Sequence, residues 1–253
     1  GYTWTPRSSG TTAHLYRVRF YNSSRGIVTG ANGLILRTFD SGTTWVNPNS
    51  GTTFDLRGIS YGSADRAWAF GSSGQILRTT DGGSTWSVQT SGVTKDLRSG
   101  HCVSTTRCWA VGRDGRVLRT TNGGANWTVQ TVHASSEEDF NSVHFVDENK
   151  GWVVGNNGSA FKTTDGGDTW SVSPTGVSVD LHGVMFVGNP EGGAVGADGT
   201  IISSDDAGGS WTQQNGIIGE DTTWALADSP YVVTGHVVVA SGVTLTIDPG
   251  VTV

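Results

Sequence analysis

Apolar and polar positions along this chain do not follow a helical period. They alternate over short runs, break at a glycine or at an Asp-Gly pair, and resume. Segments such as "LRGISY", "RAWAFG" and "QILRT" carry the two-residue period and the β-branched and aromatic content of half-buried strands. Turn-forming residues close each of them, in clusters such as "GSSG" and "TTDGGSTW". The pattern predicts a protein made of short strands and tight turns.

The punctuation is periodic. "TTDGGSTW" at 79–86 returns as "TTNGGANW" at 120–127 and "TTDGGDTW" at 163–170, with looser copies "TFDSGTTW" at 38–45 and "SSDDAGGSW" at 203–211. The closing tryptophans, Trp45, Trp86, Trp127, Trp170 and Trp211, are spaced 41, 41, 43 and 41 apart. Trp4 lies 41 before Trp45, so "YTWTPR" reads as the last strand of a further unit. Thirty residues before each tryptophan stands a large apolar residue: Leu15, Leu56, Leu97, Phe140, Leu181. Fifteen before stands Gly30, Gly71, Gly112, Gly155 or Gly196, and twelve before stands Gly33, Gly74, Gly115, Gly158 or Gly199. The two-residue insertion therefore falls in "VHASSEEDF". Each unit reads as four strands, a to d. The glycine pair makes the b–c turn by tolerating positive φ, and the repeated phrase makes the c–d turn. One such sheet cannot bury its faces alone, and radial stacking of several can. Four strands in about 40–45 residues are the mark of a β-propeller blade. The prediction is an all-β propeller over 1–216, with five four-stranded blades and an extra N-terminal strand.

Composition narrows the partners. Gly accounts for 38 of 253 residues, charged residues for only 15%, and the net charge is −6. An acidic surface argues against sequence-independent nucleic-acid binding, and no apolar run approaches a membrane span. Cys102 and Cys108, in "HCVSTTRCW", are spaced for a disulfide across a strand–turn–strand corner. That bond would place the chain in an oxidising, extracellular or cell-surface setting. No further Cys stands nearby to make a zinc site, and neither a metal nor a cofactor is expected.

The five phrases follow Ser/Thr-x-Asp-x-Gly-x-Thr-Trp and resemble the Asp-box, or BNR repeat. Asp40, Asp81, Asn122, Asp165 and Asp206 can accept backbone N–H bonds within their own turns. The tryptophans then cover those turns and need a partner for the indole N–H. Asn122 can fold a turn but cannot be a general base, which marks the box as structural. "DGGD" at 165–168 offers a calcium ion too few oxygens. Whole units such as "GWVVGNNGSAFKTTDGGDTWS" are similar to propeller repeats related to photosystem II stability and assembly factors, and to repeats of secreted bacterial proteins. The resemblance implies the propeller fold over roughly residues 1–216.

Sialidases and other glycosidases also carry Asp-boxes, but they need an arginine cluster or a spaced carboxylate pair. Here Arg37, Arg78, Arg119 and Lys162 all lie eight before a box Trp, a repeat-locked position that suits packing. The chain is therefore expected to be non-enzymatic, with a glycosidase as a further alternative. A binding site would use the column that follows the strand-a anchor: Tyr16, Arg57, Arg98, Asn141 and His182. These varied polar residues would ring the central mouth beside the b–c turns, and would suit a glycan or a peptide. His101 and His144 share a column too, and two nitrogens alone make a poor metal site. Sequons stand at Asn22, Asn126 and Asn157.

After Trp211 the repeat ends. Residues 217–253 read as a linker followed by a strand at "VTLTI" with a Pro249-Gly250 turn beyond it. "HVVVASGVTLTIDPGVTV" resembles the opening coil of right-handed parallel β-helix domains, and one coil cannot bury its own interior. Such strands can add to a neighbouring subunit. The expected role is an extracellular scaffold, adhesion or assembly module, self-associating through its terminal strands. The alternative is a glycan- or peptide-binding propeller.

Overall fold

The computed structural model describes residues 5–132, 138–187 and 190–213, and beyond them 217–218, 222–225, 238–239, 244–247 and 249. By packing, the chain divides into two compact units, Gly1–Thr212 and Gln213–Val253.

The first unit is a five-bladed β-propeller of antiparallel meanders. Blade 1 holds β1 (Leu15–Phe20), β2 (Gly26–Gly30) and β3 (Ile35–Thr38). Blade 2 holds β4 (Leu56–Tyr61), β5 (Ala67–Gly71), β6 (Ile76–Thr79) and β7 (Ser87–Gln89). Blade 3 holds β8 (Leu97–Cys102), β9 (Cys108–Gly112), β10 (Val117–Thr120) and β11 (Thr128–Gln130). Blade 4 holds β12 (Phe140–Phe145), β13 (Gly151–Gly155), β14 (Ala160–Thr163) and β15 (Ser171–Val172). Blade 5 holds β16 (Leu181–Phe186), β17 (Gly192–Gly196), β18 (Ile201–Ser204) and β19 (Thr212–Gln213). Strand a is innermost in each blade, and the a strands of successive blades lie side by side.

Blade 1 departs from the predicted four strands. Its outer strand shrinks to a single bridge between Arg37 and Val46. Pro48 occupies the position of Gln89, which in blade 2 pairs with Ile76, and proline has no N–H to extend the ladder. With its amide turned to the orientation that satisfies both O and N, the Asn47 side chain donates to the Ile35 carbonyl at 2.9 Å instead. The predicted N-terminal strand centred on Trp4 lies outside the described residues, while Thr5–Ser9 carry no strand.

The core is built between blades. Ile27 and Ile35 of blade 1 pack with Leu56 and Ile59 of blade 2, and all four are buried. Trp109 of blade 3 stacks on Phe145 of blade 4 with ring centroids 3.6 Å apart, and Trp152 stacks on Phe186 in the same way. The seam between blades 5 and 1 is different. Val18 is 53% exposed, where its counterparts Ile59 and Val143 are 4% exposed, and Val195 and Ile201 of blade 5 are 51% exposed.

The two glycines of the b–c turn have different reasons. Gly33, Gly74, Gly115, Gly158 and Gly199 have φ between 62° and 74°, as predicted. The first glycine of each pair is extended, with φ −155° at Gly30 and −158° at Gly71. There a Cβ would stand 2.1 Å from the Asp55 carbonyl oxygen at Gly71 and 1.9 Å from that of Asp96 at Gly112. Close approach, not φ, requires those glycines. Positive φ falls on the second glycine and also on the residue just before it: Asn32, Ser73, Asp114, Asn157 and Asp198.

Cys102 and Cys108 are bonded directly across the β8–β9 ladder, as their spacing predicts.

In the second unit, β20 (Ile217–Ile218) pairs in parallel with β22 (Val238–Val239), and β21 (Thr222–Trp224) with β23 (Leu245–Ile247). The stretch read as a plain linker thus contributes two short strands. The sequence placed a strand at Val243–Ile247, and β23 falls on its second half. Val243 lies outside the described residues. Among the described residues no helix is long and apolar enough to cross a membrane.

Candidate functional site

Each Asp-box is a closed hydrogen-bonded turn. In blade 2, the buried Thr79 hydroxyl donates to Asp81 Oδ1 at 2.8 Å and accepts from the Gly83 amide at 2.9 Å. Asp81 Oδ1 also accepts the Thr85 amide at 2.9 Å, and Oδ2 accepts the Thr85 hydroxyl at 2.6 Å. The same set recurs at Asp40, Asp165 and Asp206. Asn122 reproduces the amide half, accepting from Asn126 at 2.9 Å. The Thr44 hydroxyl and then its amide hold the Asp40 carboxyl down to about 2, and Thr169 does the same for Asp165. At Asp81 desolvation pulls upward, but the Thr85 hydroxyl and amide outweigh it, again to about 2. Carboxylates held ionised and saturated with donors are poor general acids.

The boxes also take part in joining blades. Trp109 Nε1 donates to the Gly166 carbonyl in the box of blade 4 at 2.9 Å, and Trp152 Nε1 to Ala207 in the box of blade 5 at 3.0 Å. Arg119 Nη1 reaches the same Gly166 oxygen at 3.0 Å, and its Nη2 reaches Asp168 at 2.6 Å. In the repeat-locked column, Arg119 grips the neighbouring turn in this way, and Arg37 donates to Ser84 in the box of blade 2. Box tryptophans differ in their partners: Trp86 donates to the Gly83 carbonyl, Trp127 to Gln89 and Trp211 to Ser173. Trp45 packs edge-on against Phe20, and Trp170 edge-on against Phe145.

At the opposite end of the blades, a column that sequence reasoning missed ties the b–c turns together. Asp55, Asp96, Asp139 and Asp180 each lie 31 before a box Trp. Their Oδ1 atoms accept the amides of Asn32, Ser73, Asp114 and Asn157 of the preceding blade at 3.0–3.1 Å. Their own carbonyls accept from the turn of their own blade, as Ser72 to Asp55 at 2.9 Å. The fixed spacing was visible in the chain. Its meaning was not, because each staple crosses between units.

The predicted mouth column lies beside these staples. The Tyr16 hydroxyl donates to Asp55 at 3.2 Å, Arg57 pairs with Asp55 at 3.2 Å, and the Arg57 guanidinium sits 5.1 Å from the centre of the Tyr16 ring. Arg98 pairs with Asp139 at 2.6 Å and also donates to Asn141. Asn141 in turn donates to Asn156 and to the Leu181 carbonyl, both at 2.9 Å. His182 is exposed. Four of the five residues are thus tied into contacts, mostly across blades, and His182 stands free of that network.

Below the mouth, residues of the five a strands, with Gly193 and Val195 of β17, line a cavity of about 300 Å³. Its lining includes Arg17, Arg19, Ser60, Ser99, His101 and His144, and no carboxylate. The two histidine rings lie 4.6 Å apart. His101 Nδ1 accepts the Phe145 amide and His144 Nδ1 the Phe186 amide, each at 3.3 Å from the next blade. Ser60 serves Cys102 in the same way at 2.9 Å. These side chains satisfy the outward N–H groups of an inner strand that has no further strand beside it. Burial, then the neighbouring His144 and Arg19, lower His101 to about 3, and burial, then Arg19, lower His144 to about 4. Both rings are neutral at neutral pH. Among the described residues no group of three potential ligands could hold a metal ion.

Five radial meanders, closed box turns and a central cavity define a propeller of the Asp-box class. The chain belongs to the family described as photosynthesis system II assembly factor YCF48, whose profile matches residues 2–91, 49–133, 92–173 and 129–218. No curated protein matches the sequence. Similar solved structures include YCF48 from Cyanidioschyzon merolae, at 18% identity and TM-score 0.56 over 81% of this chain and 85% of that one. YCF48 bound to a D1 peptide is 19% identical, with TM-score 0.46 over 80% and 81%. A GH74 enzyme of Niastella koreensis is 14% identical, with TM-score 0.66 over 79% of this chain and 38% of that one. At such identities the likeness is one of fold.

Proposed function

We propose that this chain is a non-enzymatic assembly module that works outside the cytoplasm and holds a protein partner at the loop-bearing mouth of its propeller. Family membership carries the reading, since the matching family is described as an assembly factor and its profile spans 2–218. The geometry supports it in two ways. The repeated carboxylates are saturated within their turns, and the cavity lining contains no carboxylate for glycoside hydrolysis. The mouth carries varied polar side chains, Tyr16, Arg57, Arg98, Asn141 and His182, on strands whose b–c turns are stapled together by Asp55, Asp96, Asp139 and Asp180. The Cys102–Cys108 bond supports the extracytoplasmic setting. Self-association through the strands of the second unit belongs to the same proposal, because two-stranded sheets gain stability by adding strands.

The test is a peptide-array screen with the whole chain, repeated with Arg57→Ala and His182→Ala and with Asp40→Ala as a box control. Peptides captured by the native chain and the box variant, but lost with the mouth variants, are the expected outcome. Equal capture by all four would remove the mouth from the proposal. Release of reducing sugar from xyloglucan above the blank would overturn the non-enzymatic reading.

A further inference from the structure

The central cavity is built of donors. Arg17 and Arg19 project from β1 into its lining, and neither guanidinium has an acid or a hydrogen-bond partner among the described residues. Elsewhere Arg25, Arg57, Arg98, Arg107, Arg113 and Arg119 are each paired with a carboxylate. His101 and His144 add two more donors. Each uses Nδ1 as an acceptor toward the next blade, so the proton of the neutral ring sits on Nε2. No Nε2 has a partner among the described residues, and the cavity lies open beside both rings. Ser60 accepts the Cys102 amide with its oxygen, which leaves its hydroxyl proton to give.

We infer that this cavity is an oxyanion site, in which Arg17 and Arg19 hold a carboxylate or phosphate group and the His101 and His144 Nε2–H groups orient it. Four facts meet in this assignment: two unpaired guanidinium groups, two fixed N–H donors, a lining without a carboxylate, and room for a small polyatomic anion. A net charge of −6 makes the local excess of positive charge more telling, because counter-charge is plentiful elsewhere on the chain and absent from this lining. Guanidinium forks match the planar carboxylate and the phosphate oxygens equally well, so the chemistry is shared by an acidic peptide side chain and by a free ion. The inference stands apart from the assembly reading, which rests on the mouth column and the family.

The experiment titrates the whole chain with a short oligoglutamate peptide and, separately, with inorganic phosphate, at low salt. Calorimetry reads the affinity, and the His side-chain Nε2–H signals in nuclear magnetic resonance report the location. Binding with shifts of the His101 and His144 signals is expected, together with about a tenfold or greater loss of affinity in the Arg17→Gln/Arg19→Gln double variant. Binding of both probes assigns a general oxyanion site, and binding of oligoglutamate alone assigns an acidic segment of a partner. Failure of both probes to bind, or equal affinity in the double variant, overturns the inference. Both arginines are exposed and unpaired, so the double variant should keep the native melting temperature. If it does not, absence of His signal shifts at saturating oligoglutamate and phosphate in the native chain overturns the site without it.

Discussion

The Gly166 carbonyl offers a quantitative test of how blades are held together. It is buried and receives two donors from blade 3, Trp109 Nε1 at 2.9 Å and Arg119 Nη1 at 3.0 Å. Replacing Trp109 by Phe removes one donor but leaves the carbonyl satisfied, so the hydrogen-bond part of the loss is about 0.5–1.5 kcal/mol. Replacing Arg119 by Met removes the other donor and the pair with Asp168. Asp168 is 63% exposed, so that pair adds little, and the loss is about 1 kcal/mol. The double variant is different in kind. It orphans a buried carbonyl, whose desolvation penalty is about 1–3 kcal/mol beyond the two single losses. The smaller volume of Phe is present in both arms of the cycle and cancels. Urea denaturation of the four proteins, with the disulfide intact, measures the coupling. A double variant whose loss equals the sum of the singles within about 0.5 kcal/mol would refute the claim that these donors share one buried acceptor.

Four further outcomes follow from the same geometry. Folded-state pKa values of about 2 for Asp40, Asp81 and Asp165 lie below the ordinary 3.8. Their stabilisation is therefore full above about pH 4 and lost as pH falls toward 2, and changing all three to Asn should flatten the melting temperature across that window. Gly71→Ala should abolish soluble expression, because its Cβ would meet the Asp55 carbonyl oxygen, while Gly92→Ala, at φ 77° in open space, should cost about 1 kcal/mol in urea titration. Reducing the Cys102–Cys108 bond, which closes a short loop, should lower stability by about 2 kcal/mol, read as a drop in melting temperature with reductant. Light scattering should find the intact chain associated and a chain ending at Thr212 monomeric, and two monomers would remove the second unit from the proposed self-association.

The fold was legible because the repeat recurs at several columns, and each column has one local cause. The box Asp folds its own turn, the second glycine of the b–c pair takes positive φ, and Leu56 or Leu97 anchors strand a in the core. Pro48 was equally visible, but its effect depends on which ladder position it occupies, and so blade 1 was assigned a full fourth strand. The site was less legible because its parts meet between blades. The channel lining is not the column after the strand-a anchor. That column sits at a β-bulge, where the register shifts between Leu56 and Gly58 and again between Leu97 and Ser99. Past the bulge, the side chains facing the cavity are those of Arg17, Arg19, Ser99 and His101. Period-two reasoning from the anchor cannot place them without knowing where the bulge falls.

The last blade shows how far the interblade grip determines the architecture. At the strand-b position of Trp68, Trp109 and Trp152, blade 5 has Gly193, and at the strand-c position of Arg37, Arg78 and Arg119 it has Ser203. Of those side chains, Trp109, Trp152, Arg37 and Arg119 reach the box of the following blade, while Trp68 donates to Gln89 of its own blade. Blade 5 keeps its own box turn closed, with Asp206 fully bonded, and carries no indole at that strand-b position. Its far face is accordingly more open, at Val195 and Ile201, than the matching faces of blades 2 and 3, where Phe70, Ile76, Val111 and Val117 are fully buried. The side chains that fold a blade and those that bind it to the next are separate sets. Substituting Gly193 by Trp tests that separation: a Cβ there meets no atom closer than 3.4 Å and the face is open at Val195 and Ile201, so the blade should tolerate the indole and the change in melting temperature should stay within a few degrees. A collapse of blade 5, read as loss of amide protection across β17 and β18, would show instead that the glycine is required for the blade itself.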